Sequence, residues 1–158
     1  MQRYVSDKMV YKAKFAVPKQ TEKQLQKIVK KYLDVQYPDI IYSFNTVGFL
    51  KLDGWKGKQQ KELGNPRGYP DLFIANAKRW RAAVEHCDIY HYYHGLFIEL
   101  KAEGTVIFNK NGSIRADIHL EEQAEMLNKL RTKGYKAEFA IGFDETKKII
   151  DNYLEKLL

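Results

Sequence analysis

Cysteine is almost absent from this sequence. Cys87 is the single thiol in 158 residues, which excludes an intrachain disulfide and leaves no zinc-ribbon spacing. The expected compartment is therefore a reducing cytoplasm. Long hydrophobic runs are missing as well. No apolar stretch approaches the roughly 20 residues of a membrane span, so no membrane partner is expected. The opening Met1-Gln2-Arg3-Tyr4-Val5 has neither an apolar h-region nor a small-residue cleavage site, and no secretory signal is expected. Proline is scarce, and two of its four residues, Pro66 and Pro70, share residues 48–70 with five of the ten glycines. That stretch reads as a loop. There are no internal repeats and no low-complexity tract.

Acidic charge is the remaining shortage. Asp and Glu number 20 against 27 Lys and Arg, a net charge of +7. The surplus is uneven: residues 1–36 carry nine Lys or Arg against Asp7, Glu22 and Asp34. A second basic stretch holds Lys51, Lys56, Lys58, Lys61 and Arg67. Cationic side chains release counterions from a phosphate backbone, so the balance points to a polyanionic partner. With 44% hydrophobic residues, the chain still has the composition of an ordinary globular domain. Its length fits one domain over 1–158.

The pattern of elements follows from periodicity. Residues 1–18 have no clear period and read as an N-terminal arm, with a short strand expected around Val10–Val17. Thr21-Glu22-Lys23-Gln24 has the form of a capping box. Leu25, Ile28, Val29, Tyr32 and Leu33 follow at helical spacing, and the helix is expected to end before Pro38. Strands are expected at Ile40–Val47, Asp71–Ala75 and Leu96–Ala102. Residues 76–95 read as an insertion with a helical turn around Trp80–Val84. Asn111-Gly112 marks a hairpin within Thr105–Ile118. A helix over His119–Lys133 stops at Gly134, a strand carries Ala137, Phe139 and Ile141, and Asp144–Leu158 closes the chain as a helix. The order is α-β-β-β-α-β-α, a mixed α/β sheet flanked by helices.

Glu99-Leu100-Lys101 carries the chemistry. On a strand Glu99 and Lys101 share one face, while Leu96, Ile98 and Leu100 share the other. An acid and a lysine on so apolar a strand need a partner or a metal. Asp71 opens the preceding predicted strand, and pairing of the two strands brings the carboxylates together. Such a pair repels itself unless a cation intervenes. Mg²⁺ or Mn²⁺ suits one or two carboxylates with several waters, and the Leu100 carbonyl is a candidate third ligand. Taken alone, Glu-x-Lys is usually a surface ion pair and Pro-Asp a turn; their joint placement is what points to phosphodiester hydrolysis.

Gly64-Asn65-Pro66-Arg67-Gly68-Tyr69-Pro70-Asp71-Leu72, Phe97-Ile98-Glu99-Leu100-Lys101, and Glu122-Gln123 followed by Leu127, Leu130 and Gly134 resemble the motifs of the VRR-NUC family of PD-(D/E)xK nucleases. The resemblance spans roughly Thr21–Leu154. It implies a restriction-endonuclease-like α-β-β-β-α-β core and a stand-alone, metal-dependent endodeoxyribonuclease. It assigns metal binding to Asp71 and Glu99, the water to Lys101 and support of the site to Gln123. It also points to Glu22 on the first helix as a metal ligand, the alternative being an acid on the helix dipole. Branched or flapped DNA is the substrate that the resemblance implies, with a homodimer as the form that cuts two strands; light scattering reports the latter. The departure is the long connection over 76–95. Two other readings stay open: a binding or assembly module that keeps the fold without cleavage, and a nuclease whose substrate is RNA.

Lesser signals remain. Lys51, Lys58, Lys61 and Arg67 are candidate phosphate contacts leading into Asp71. His86, Cys87, His91 and His94 cluster without the spacing of a structural zinc site, beside Tyr90, Tyr92 and Tyr93, which read as an aromatic strand. His119 is a cap-position residue or lies near the metal, and Asn45 touches a phosphate or starts a turn.

Overall fold

Thr21 opens the first helix as its spacing requires. Its hydroxyl accepts from the Gln24 amide, and the Gln24 side chain accepts from the Thr21 amide at 2.8 Å. Helix α1 then runs Glu22–Gln36. This is a computed structural model, and it describes residues 20–45, 66–84 and 87–154, with residues 80–84 and 87–91 described by their backbone alone. The expected arm over 1–18, with its short strand, and the residues beyond Leu154 lie outside this range.

The strands after α1 are β1 (Tyr42–Phe44), β2 (Leu72–Ile74), β3 (Lys78–Val84), β4 (Cys87–Tyr93) and β5 (Leu96–Lys101). Helix α2 (Ile118–Thr132), β6 (Lys136–Ile141) and α3 (Gly142–Leu154) complete the chain. One sheet has the order β1-β2-β5-β6; its first two pairings are antiparallel and β5–β6 is parallel. The mixed α/β sheet flanked by helices is thus as expected. Gly134 ends α2 with a φ of 83°, the left-handed stop that glycine accepts without a Cβ penalty.

Strand β5 sits at the centre, with all six residues buried. One face of the sheet packs Leu72, Ile74, Leu96, Ile98 and Leu100 against Leu25, Val29 and Leu33 of α1 and Ile150 and Tyr153 of α3. The other face packs Phe97 and Ala137 against Leu127 of α2. Phe73 stacks on Phe97 with ring centroids 4.4 Å apart. Fully burying each such leucine or isoleucine stabilises the fold by about 1.5–3 kcal/mol. Asp151 of α3 ties the helical layer together by accepting hydrogen bonds from Tyr32 and Tyr37 and pairing with Lys147. No helix among the described residues is long and apolar enough to cross a membrane.

Three elements differ from expectation. The helical turn at Trp80–Val84 is instead β3, which pairs antiparallel with β4 as a separate two-stranded sheet. Arg and Ala in Arg79-Trp80-Arg81-Ala82-Ala83 favour a helix locally. Pairing with the β-favouring Ile89-Tyr90-His91-Tyr92-Tyr93 overrides them. The Thr105–Ile118 hairpin reduces to one bridge, Phe108 with Ile114, and Ile118 already belongs to α2. Its loop holds three residues, Lys110-Asn111-Gly112, closed by the Asn109 amide on the Ser113 carbonyl at 2.8 Å. Gly112 takes the left-handed position with φ 81°. The first strand is shorter than expected, at Tyr42–Phe44.

Candidate active site

Leu72 pairs with Ile98 and Phe73 with Phe97. Continuing that antiparallel register by one residue sets Asp71 opposite Glu99. Strand β2 begins only at Leu72, so the Leu100 amide lacks a backbone partner there. It donates to Asp71 Oδ2 at 2.9 Å instead. The N–H and C=O of one strand residue lie on the same edge, so the Leu100 carbonyl lies on the edge that faces Asp71.

Both helical layers reach this point. From α1, Gln26 Nε2 donates to Asp71 Oδ1 at 3.0 Å. From α2, Gln123 Nε2 donates to Glu99 Oε1. Lys101 Nζ donates to the same Glu99 oxygen at 2.9 Å and lies 3.8 Å from Glu22 Oε1. Sequence reasoning named Asp71, Glu99, Leu100, Lys101, Gln123 and Glu22; the structure brings the first five together, while Glu22 reaches the cluster only through Lys101, 3.8 Å away. It missed Gln26. The available signal was spacing: Gln26 stands four residues after Glu22, on one helix face, and is buried among the leucines.

Electrostatics make the pair costly without a cation. Burial pushes the Asp71 carboxyl up to about 6, offset in part by the Leu100 amide and Lys101. Burial and the neighbouring Asp71 push Glu99 up to about 7, offset in part by Lys101. Within the same cluster, Gln123 Oε1 is buried without a hydrogen-bond partner. An orphaned buried acceptor costs about 1–3 kcal/mol, which water held on a cation can recover. Among the described residues no three His, Cys, Asp or Glu side chains gather to enclose an ion. Two carboxylates, a backbone carbonyl and an amide oxygen form an all-oxygen set of the kind that suits a partly hydrated Mg²⁺ or Mn²⁺.

The loop before Asp71 is fixed by close contact. Gly68 has φ 69°, and a Cβ there would stand 2.6 Å from the Glu122 carbonyl oxygen and 2.9 Å from the Gln123 nitrogen. Only glycine lets this loop lie directly on the α2 backbone. Asn45 holds the same segment from the other side: its amide donates to the Asp71 carbonyl at 2.7 Å and its side chain to the Tyr69 carbonyl. Gly68→Ala is expected to destabilise the fold by about 1–3 kcal/mol and to separate Asp71 from Gln123. Thermal melting beside a cleavage assay checks this; an unchanged melt with unchanged cleavage would show that the contact is not needed.

Other sequence candidates lie elsewhere. Arg67 pairs with Glu122 at 3.2 Å and is largely exposed. Lys51, Lys58 and Lys61 lie outside the described residues, as does His86. The side chains of Cys87 and His91 are likewise not described. His94 packs its ring against Tyr135 and over Gly134. His119 is exposed at the start of α2, 3.9 Å from Glu122.

A search of protein-family models and curated proteins finds no match to the chain. A solved structure named "VRR_NUC domain protein" is similar to it, with 25% identity over 85% of this chain and 88% of that one, and a TM-score of 0.54. The chain thus carries a nuclease-type fold similar to that VRR-NUC domain.

Proposed function

We propose that this protein is a divalent-metal-dependent endonuclease that hydrolyses phosphodiester bonds in DNA, with branched or flapped DNA as its preferred structures. The observation that carries the reading is the half-buried Asp71, just before β2, set opposite the buried Glu99 of β5, with Lys101 against Glu99. Asp71, Glu99 and the Leu100 carbonyl would hold Mg²⁺ or Mn²⁺, with Glu22 at the margin. When bound, such an ion polarises the scissile phosphate and acidifies its water. Gln26 and the Leu100 amide hold Asp71 in one orientation, and Gln123 does the same for Glu99. Lys101 places an ammonium where it can orient the attacking water and offset charge growing on the phosphate. Lys51, Lys58, Lys61 and Arg67 supply contacts to the backbone of the substrate.

The test is incubation of plasmid, flapped DNA and sequence-matched RNA with Mg²⁺ or Mn²⁺, with and without EDTA. Metal-dependent DNA cleavage that Glu99→Gln abolishes is expected. No cleavage of any substrate by the pure wild type in either metal would sink the reading, and cleavage of RNA alone would transfer it to another substrate.

A further inference from the structure

The chain leaves Lys101 and returns to the site through α2, and between them residues 102–117 form a tightly hydrogen-bonded loop. Ile107 anchors it at 1% exposure, and its carbonyl accepts from the Arg115 amide at 3.0 Å. Val106 and Phe108, on either side of that anchor, turn outward and are 56% and 49% exposed. At the tip Asn109 donates to Ser113 Oγ and the Ile114 carbonyl, and Asn111 accepts from Ser113. The loop therefore holds an exposed aromatic ring in a set position, at little entropic cost to a ligand.

The position of that ring is specific. Glu99 pairs with Phe139 in the β5–β6 ladder, so the two side chains are neighbours on one face of the sheet. Phe108 packs edge-on against Phe139 with centroids 6.4 Å apart. Adding a strand spacing of about 4.8 Å puts the Phe108 ring within roughly 11 Å of Glu99, about three nucleotides along a strand. Lys110 and Arg115 leave the same loop at exposed positions, and among the described residues neither forms a salt bridge. An apolar ring set among cations, beside a site for phosphodiesters, has the chemistry of a base-stacking platform.

We infer that Phe108 stacks on an unpaired base near the scissile bond and so selects nucleic acid with single-stranded character over continuous duplex. The inference rests on the nuclease reading of the neighbouring site, and its test separates the two. A blunt duplex and the same duplex carrying a single-stranded flap are compared with wild type, Phe108→Leu and Phe108→Trp. Leucine keeps the contact with Phe139 but has no ring to stack, whereas tryptophan restores one. Phe108→Leu is expected to lower kcat/KM on the flapped substrate by about 5- to 150-fold, to leave the duplex within about twofold, and to be rescued by Phe108→Trp. Equal effects on both substrates, or none on either, would overturn the inference while leaving the nuclease intact. If the wild type cuts neither DNA, the DNA-cleavage reading fails by itself. Fluorescence anisotropy with the same two DNAs then decides on stacking: selective loss of flap binding in Phe108→Leu supports it, and unselective or absent loss refutes it.

Discussion

Lys101→Met is expected to slow DNA cleavage by about 10²- to 10⁴-fold while leaving the protein folded. Methionine matches the length of the lysine stem, so the buried path between Glu99 and Glu22 stays filled. What disappears is the ammonium 2.9 Å from Glu99, and with it the group that orients water and offsets charge on the phosphate. Such a loss corresponds to about 3–5 kcal/mol of transition-state stabilisation. It should fall on kcat rather than KM, because a lysine pinned between two acids adds little to ground-state binding. Lys101→Arg should not rescue, since a planar guanidinium does not fit a slot shaped for a point charge. Single-turnover cleavage, with circular dichroism as the control for folding, measures this. Retention of activity within threefold in Lys101→Met would remove the lysine from the chemistry.

The second large effect runs against activity. Asp71→Asn is expected to abolish cleavage and yet to stabilise the metal-free protein at pH 8 by about 0.5–2 kcal/mol. For a chain of this size that is a rise in Tm of about 1–8 °C. Asparagine can accept from the Leu100 amide while Gln26 turns its amide over to accept in return, so the hydrogen bonds survive. The sign in pH follows from the folded carboxyls: burial raises Asp71 to about 6, and burial with the neighbouring Asp71 raises Glu99 to about 7. Folded protein holds protons in this window that unfolded chains release nearer pH 4, so wild-type stability falls as pH rises from about 4 to 7. The advantage of the variant should therefore be largest at pH 8 and fade towards pH 4. Added Mg²⁺ should narrow it at pH 8 by stabilising only the wild type. Melting curves across pH check all three statements, and a variant less stable than wild type at pH 8 would contradict them.

Much of this site was legible in sequence because its strongest signals are local. The capping box at Thr21, the glycine stop at Gly134 and the alternation through Glu99-Leu100-Lys101 each depend on neighbours a few residues away. What stayed hidden depends on pairing across the chain. The ribbon of β3 and β4 arises only when Lys78–Val84 meets Cys87–Tyr93, and helix-favouring residues in the first strand concealed it. Gln26 belongs to the site only because β2 begins where it does, which leaves Asp71 free to accept from α1. Phe108 read as one alternating apolar residue in a hairpin. Its meaning came from Phe139, 31 residues later and beside Glu99.

The pairing of β2 with β5 also bears on how such a chain can change over generations. Antiparallel neighbours keep a constant sum of positions, so Asp71 faces Glu99 whatever length of chain joins Ile74 to Leu96. Segments gained or lost in the β3–β4 ribbon leave the acids opposed, and this connection is free to grow and diversify. A single residue inserted within Leu72–Ile74 or Leu96–Ile98 has no such freedom. It would turn one acid to the far face of the sheet. Insertions should therefore accumulate in the ribbon among descendants of this chain, while the six strand residues beside the acids keep their count.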